Sequence, residues 1–138
     1  MGTIFKLTEG ANLALHAMML LADSPENSRD TATMAKELEA SAHHLSKVMQ
    51  RLQRAGMVTS IRGPRGGFRL ASDPKTVTLL DVYAAVEGDM EIHSCLMGRP
   101  ICEHPNCPLG AAIGKAGKEF RDILKKTTLA QVSFGKNG

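Results

Sequence analysis

The stretch between residues 41 and 70 constrains the fold of this chain more than any other feature. Ser41 can cap a helix, and Gly56 stands where helices commonly end. One side of that helix is apolar, since it carries Leu45, Val48, Met49 and Leu52. A shorter helix beginning near Thr31 precedes it, so the two together predict a helix-turn-helix.

A β-hairpin is predicted directly after the second of these helices. Residues 57–62 are rich in β-branched side chains, residues 63–67 form a turn of sequence Gly-Pro-Arg-Gly-Gly, and residues 68–70 return. The glycine-rich turn lacks the Lys-Ser/Thr and the βαβ context of a nucleotide site. The hairpin therefore predicts the wing of a winged helix, in a fold that is mainly α with one small β-hairpin.

Basic residues concentrate in the same stretch, which contains no Asp or Glu. They are Lys47, Arg51, Arg54, Arg62, Arg65 and Arg69. Removing these six from the 17 basic residues of the chain leaves 11 against 14 acidic residues, a balance of −3 in a chain of net charge +3. This asymmetry predicts double-stranded DNA as a partner, although a solvated basic face would give the same composition.

The predicted DNA contacts fall into two groups. Residues early in the helix are expected at base edges in the major groove: Ser41, His43, His44, Ser46 and Lys47. Residues late in the helix and on the wing are expected at phosphates or the minor groove, with Gln50 also able to reach a base: Gln50, Arg51, Arg54, Arg62, Gly63, Arg65, Gly66 and Gly67. The adjacent pair of histidines could suggest a metal site, but its place at the start of the recognition helix favours DNA contact.

All three cysteines of the chain lie in one polar loop, at Cys95, Cys102 and Cys107. An odd number of cysteines does not suit a disulfide framework, and their clustering indicates an inorganic ligand or redox chemistry. Three interpretations are open. The thiols hold an iron–sulfur cluster (2Fe-2S or 4Fe-4S), they hold zinc together with His93 or His104, or Cys95 forms a reversible disulfide with one of the others.

The segment after Pro108 predicts a long helix with a dimerisation seam. Apolar residues follow alternating steps of four and three, at Leu109, Ile113, Ala116, Phe120 and Ile123. The chain then divides into a winged helix-turn-helix over 1–88, a cysteine-rich cluster-binding loop over 89–107, and a dimerisation helix with its tail over 108–138. A homodimer is expected.

The remaining features exclude several classes of protein. The 138 residues contain no apolar run of membrane-spanning length and begin without the pattern of a signal peptide, so we expect a cytoplasmic protein without a membrane partner. No cysteine lies in a nucleophile signature. We therefore predict a protein that is not an enzyme and has no catalytic residues.

Residues 41–70, above all Gly-Met-Val-Thr-Ser-Ile-Arg-Gly-Pro-Arg-Gly-Gly-Phe-Arg-Leu-Ala over 56–71, resemble the winged helix of the Rrf2 family of bacterial transcription regulators. Leu7-Thr8, the helix over 79–88 and Thr-Thr-Leu-Ala over 127–130 are similar too. The resemblance implies a homodimeric repressor that binds a partly palindromic operator. It also implies a cluster on the three cysteines that senses redox state, nitric oxide or iron and cluster supply. A thiol-redox or zinc-stabilised regulator without a cluster is the alternative.

The fourth cluster ligand stays open. Nitric-oxide-sensing members of the family carry an Asp where this chain has Asn12, and other members carry a His where it has Gly110. The candidates are His93, Glu103, His104, Asn12 and a residue of the partner subunit. Loss of the cluster is expected to shift the cysteine loop and the helices beside it, and so to change the spacing of the two recognition helices.

Overall fold

In residues 6–97, 99, 101–102 and 106–132, which the computed structural model describes, five α-helices and one antiparallel hairpin follow one another. In chain order they are α1 (Glu9–Asp23), α2 (Thr31–Glu37), α3 (Ala42–Arg54), β1 (Val58–Ile61), β2 (Gly67–Leu70), α4 (Leu79–Glu87) and α5 (Pro108–Lys126), with a closing 3₁₀ turn at Leu129–Gln131. The fold expected from the sequence, mainly α with a small hairpin, is confirmed.

Side-chain caps fix where the helices of the winged helix begin. Thr8 accepts a hydrogen bond from the Ala11 N–H at the start of α1, and Thr78 forms a reciprocal capping box at the start of α4. Asp30 caps α2, and the side chain and backbone N–H of Thr33 donate to its carboxylate, which lowers the pKa of Asp30. These caps satisfy N–H groups that lack intrahelical partners.

The core lies around α1, where Ala14, Met18 and Leu21 are completely buried. Helices α2, α3 and α4 contribute Met34, Leu45 and Val82 to the same cluster. A 3₁₀ turn follows α5, and its Leu129 is fully buried in this core. An antiparallel bridge between Thr78 and Thr128 fastens the turn to the start of α4.

The wing is held from both sides. Strand β1 pairs with β2 from Val58 opposite Leu70 to Ile61 opposite Gly67. Arg29 pairs with Phe68 on the other side, with an N–H···O distance of 2.9 Å in each direction. Gly67 has a φ of +147°, and a Cβ there would overlap the carbonyl oxygen of Arg29. The loop before α2 therefore holds the wing in place.

Helix α5 buries a face beside the predicted seam. Its buried residues are Gly110, Gly117 and Leu124, whereas Leu109 and Ile123 of the seam are 61% and 55% exposed. These two seam residues therefore remain available to a partner. Across the described part of the chain, no helix combines the length and apolar character needed to cross a membrane.

Candidate DNA interface and cysteine pocket

Helix α3 presents a polar face to solvent. His43, Lys47, Gln50 and Arg54 are all exposed and follow one another at steps of four, three and four residues. The opposite side of α3 is buried in the core. Ser41 caps the helix by accepting from the His44 N–H, and Ser41, Ala42 and His43 at this end are exposed.

Two of the predicted DNA contacts also have partners within the chain. His44 lies with its Nδ1 3.2 Å from Glu9 Oε1, at the start of α1. Arg51 donates through Nη1 to the carbonyl oxygen of Val86 at 3.1 Å, near the end of α4. Ser46 is half-buried. A DNA role for these three residues stays a prediction.

The wing residues that were predicted to contact DNA differ in their exposure and packing. Arg62 and Arg65 are exposed, and the Arg65 carbonyl accepts a hydrogen bond from Ser28 Oγ at 2.9 Å. A Cβ on Gly66 would overlap the Ile61 carbonyl oxygen, so this glycine, like Gly67, is explained by packing inside the hairpin. A Cβ on Gly63 would meet nothing within 4 Å.

Two exposed polar residues of this region were given no DNA contact from the sequence. Arg69, counted there among the basic residues, lies on β2 opposite Thr59, and both are exposed. Gln53, which was not singled out, is exposed on α3, three residues after Gln50. The alternation of the strand and the helical spacing could have indicated both as contacts.

All three cysteines line one cavity of about 510 Å³. Cys95 lies in the first part of the cysteine loop, which follows α4, and Cys107 is the N-cap residue of α5. Cys102 is exposed, while the other two are half-buried, and none of the three forms a disulfide. The Cys95 thiol donates a hydrogen bond to the Arg99 carbonyl oxygen at 3.4 Å.

The cavity fits an iron–sulfur cluster by its donor chemistry. Thiolates are the usual ligands of such clusters, and a negatively charged group at Cys107 lies at the favourable end of the α5 dipole. Among the described residues, no three His, Cys, Asp or Glu side chains lie close enough together to hold a single metal ion. The three thiols thus share a cavity without forming a tight ligand triad.

Two candidates for a fourth ligand, His93 and Asn12, do not line the cysteine cavity. His93 lines a neighbouring cavity of about 330 Å³ instead of the cysteine cavity. Asn12 is exposed on α1, where its Nδ2 donates to the Leu7 carbonyl at 3.4 Å, and it does not line the cysteine cavity. Glu103 and His104 lie outside the described residues. The cysteine cavity is lined in addition by Ser94 and Asn106, which the sequence interpretation did not single out.

Tyr83 lines the neighbouring cavity together with Glu91. Burial raises the pKa of Tyr83, and the negative charges of Glu87 and Glu91 raise it further. Both effects favour the neutral phenol over the phenolate.

Comparisons with a family model and with known relatives match this chain to transcriptional regulators. The family model described as "Rrf2: Iron-dependent Transcriptional regulator" matches residues 7–134. The chain is 32% identical to the HTH-type transcriptional regulator NsrR of Bacillus subtilis over 134 residues, covering 95% of this chain and 92% of the relative. It is 39% identical over 82 residues to the HTH-type transcriptional regulator BadM of Rhodopseudomonas palustris, which is 59% of this chain and only about half (53%) of that relative.

Solved structures give the same fold. CymR of B. subtilis, titled the global cysteine regulator, is 25% identical with a TM-score of 0.70, covering 92% of this chain and 95% of that one. IscR of T. potens is 23% identical with a TM-score of 0.70, covering 92% of this chain and 85% of that one. The second likeness supports the fold alone.

The contact between Arg51 and α4 predicts a measurable contribution to stability. Arg51→Met keeps helix propensity and most of the aliphatic stem but removes the donor to the Val86 carbonyl, so the free energy of unfolding should fall by about 1 kcal/mol. Urea unfolding followed by circular dichroism measures it.

Arg54→Met is the matched control, one helical turn further along the exposed face of the same helix. It should change the unfolding free energy by no more than about 0.5 kcal/mol. Equal losses in the two variants would contradict a specific role for the Arg51 hydrogen bond.

Proposed function

Because this chain belongs to the Rrf2 family of transcriptional regulators, we propose that it is a homodimeric repressor whose operator binding is controlled by an iron–sulfur cluster on its cysteine loop. The observation that carries the proposal is the gathering of Cys95, Cys102 and Cys107 on one cavity at the N-terminus of α5. The description of the family as iron-dependent supports the same choice of cofactor.

The DNA-binding half of the proposal rests on α3 and the wing. His43 and Lys47 lie on the exposed face of α3, where an α-helix can enter the major groove, and Arg62 and Arg65 extend from the wing beside it. Each protomer has six basic side chains in residues 41–70, so a dimer has twelve. If half of them contact phosphate, log K should fall with log salt with a slope of about −5.

The proposed dimer is supported by apolar side chains that the described chain leaves in solvent. Leu109 and Ile123 of α5 are more than half exposed, and so are Leu96, Met97 and Ile101 of the cysteine loop. Leu96 and Leu109 also share a groove of about 250 Å³. Pairing of two α5 helices would cover such a surface, and an operator with half-sites about 34 Å apart would suit the resulting pair of winged helices.

The cysteine cavity is connected to the recognition helix by a short path. Residues 88–94 join the end of α4 directly to Cys95, and the Val86 carbonyl in the last turn of α4 accepts the hydrogen bond from Arg51 of α3. A bound cluster would supply a group that oxidants, nitric oxide or iron shortage alter. When Cys95 and Cys107 share one ligand, that ligand links the segment 92–95 to the first turn of α5. Release of the ligand would leave only the packing on α5 to hold the segment, and a shift of the less firmly held segment would be passed to α4 and Arg51.

A thiol switch is the second candidate. The chain is similar in structure to CymR, the global cysteine regulator of B. subtilis, and its three free thiols line a common cavity. In that case Cys95 would form a reversible disulfide with Cys102 or Cys107 in the cytoplasm. Zinc held with His93 or His104 is the remaining alternative, and all three are compatible with DNA binding by the same winged helix.

Metal and sulfide analysis distinguishes these candidates. Protein purified without oxygen should be brown and contain iron and acid-labile sulfide, and Cys107→Ser should remove both because it deletes one of the three thiolates. Visible absorption and elemental analysis are the measurements.

Ser94→Ala serves as the control, since it alters the same cavity without removing a thiol. Colourless protein with stoichiometric zinc would contradict the cluster and support the zinc site. Colourless, metal-free protein that forms a disulfide on mild oxidation would contradict it in favour of the thiol switch.

Substitutions on the wing and on α3 should have different effects on DNA binding. Arg65→Ala removes a phosphate contact, so affinity should fall for all sequences alike and the salt slope should shrink by about 0.9 per protomer. His43→Ala should alter sequence preference at the cost of about 1–3 kcal/mol for the preferred base. Binding titrations at several salt concentrations, with selection from random duplexes, measure both. An unchanged affinity and salt slope in Arg65→Ala would refute the wing assignment.

A further inference from the structure

We propose that Gly110 and Gly117 of α5 are positioning residues, which seat the segment 92–95 against the helix and thereby place the Cys95 thiol beside the Cys107 thiol. The inference rests on the proposed function only for the identity of the ligand that the thiols hold. The seating itself is a property of the chain without metal.

Gly110 allows the closest approach. A Cβ built on it would overlap the carbonyl oxygen of Ser94, and the carbonyl carbon would be 3.2 Å away. The atoms opposed to it belong to backbone, which is not able to rotate aside as a side chain does. The same Cβ would be 3.8 Å from the Cβ of Cys107. Gly110, which has no side chain, therefore lies between the segment that carries Cys95 and the start of α5, which carries Cys107.

Gly117 provides the second seat, two turns further along the same face of α5. A Cβ there would lie 3.0 Å from Cγ2 and 3.3 Å from Cδ1 of Ile92. These contacts come from the far part of a side chain, so an alanine at 117 is accommodated if the isoleucine becomes smaller. Both glycines are buried, whereas a Cβ on the intervening Gly114 would meet nothing within 4 Å.

The two glycine contacts determine the direction in which the segment 92–95 runs and its position along the axis of α5. Ile92 lies at Gly117 and Ser94 at Gly110, so the segment runs toward the N-terminus of α5 as it approaches Cys95. It thus delivers Cys95 to the first turn of α5, where Cys107 is the N-cap residue. Residues twelve apart in sequence are brought to one cavity because α5 has no side chains at the two contact points.

A thiol-bridging reaction tests the placement without any metal. Dibromobimane becomes fluorescent when it alkylates two neighbouring thiols, and in a Cys102→Ser background Cys95 and Cys107 are the only thiols of the chain. With reduced, metal-free full-length protein, Gly110→Ala should slow bridging by about tenfold or more, since displacing reacting groups by an ångström costs that much or more. Alkylation of single thiols by iodoacetamide should proceed at the parent rate.

Gly114→Ala is the matched control, and it should bridge at the parent rate with an unchanged or higher melting temperature. Gly117→Ala should slow bridging less than Gly110→Ala, and adding Ile92→Ala should restore it. If Gly110→Ala does not fold by circular dichroism, this second pair decides the matter.

Three outcomes would each overturn the proposal. They are bridging at the parent rate in both Gly110→Ala and Gly117→Ala, equal slowing in Gly114→Ala, and failure of Ile92→Ala to restore bridging in Gly117→Ala. The bridging rates are measured on metal-free protein, so they do not depend on which cofactor the thiols hold. Failure of the proposed cofactor would be detected separately, in the iron and sulfide content.

Discussion

The structure depends on the burial of α1 at its centre. Ala11, Ala14 and Ala17 are completely buried, so the other helices approach its backbone closely, while Met18 and Leu21 fill the space between them. Helices α3 and α4 pack on α1, and so does the 3₁₀ turn that follows α5. As a result, the recognition helix and the helix that leads to the cysteines belong to one core, and neither shifts without repacking the other.

The two proposed sites lie on different elements around this core. The proposed DNA interface consists of the exposed face of α3 and the wing, whose strand β2 pairs with both β1 and Arg29. The cysteine cavity is lined by residues of the cysteine loop and of the first turn of α5. Helix α4 lies between them, bonded to α3 through Arg51 and continuous with the cysteine segment. Three of the exposed apolar side chains, Leu96, Met97 and Leu109, line the cavity, which suits the proposed dimer because the site would then adjoin the second protomer.

Local features of the chain were predictable because they depend on neighbours in sequence. The caps at Thr8, Ser41 and Thr78 were readable, and so was the turn at 63–67. Contacts between distant segments were not, because no local pattern encodes them. The hydrogen bond from Arg51 to α4, the proximity of His44 to Glu9, and the burial of Leu129 belong to this group. Gly110 is the clearest example. The sequence shows a glycine there but no reason for it, and the reason is the Ser94 carbonyl oxygen, which a Cβ at this position would overlap. The cysteines were predicted to act together because they share a loop, but the separation of His93 into another cavity depends on how the segment is seated on α5.

In the proposed function, the state of the cysteine cavity controls DNA binding. The affinity of cluster-loaded and metal-free protein for one operator duplex selected from random sequences, measured by fluorescence anisotropy at a fixed salt concentration, tests this control. We expect affinities that differ on the order of 5- to 150-fold, the range typical of coupling between two sites. Equal affinities of the two forms for every operator tested would contradict it.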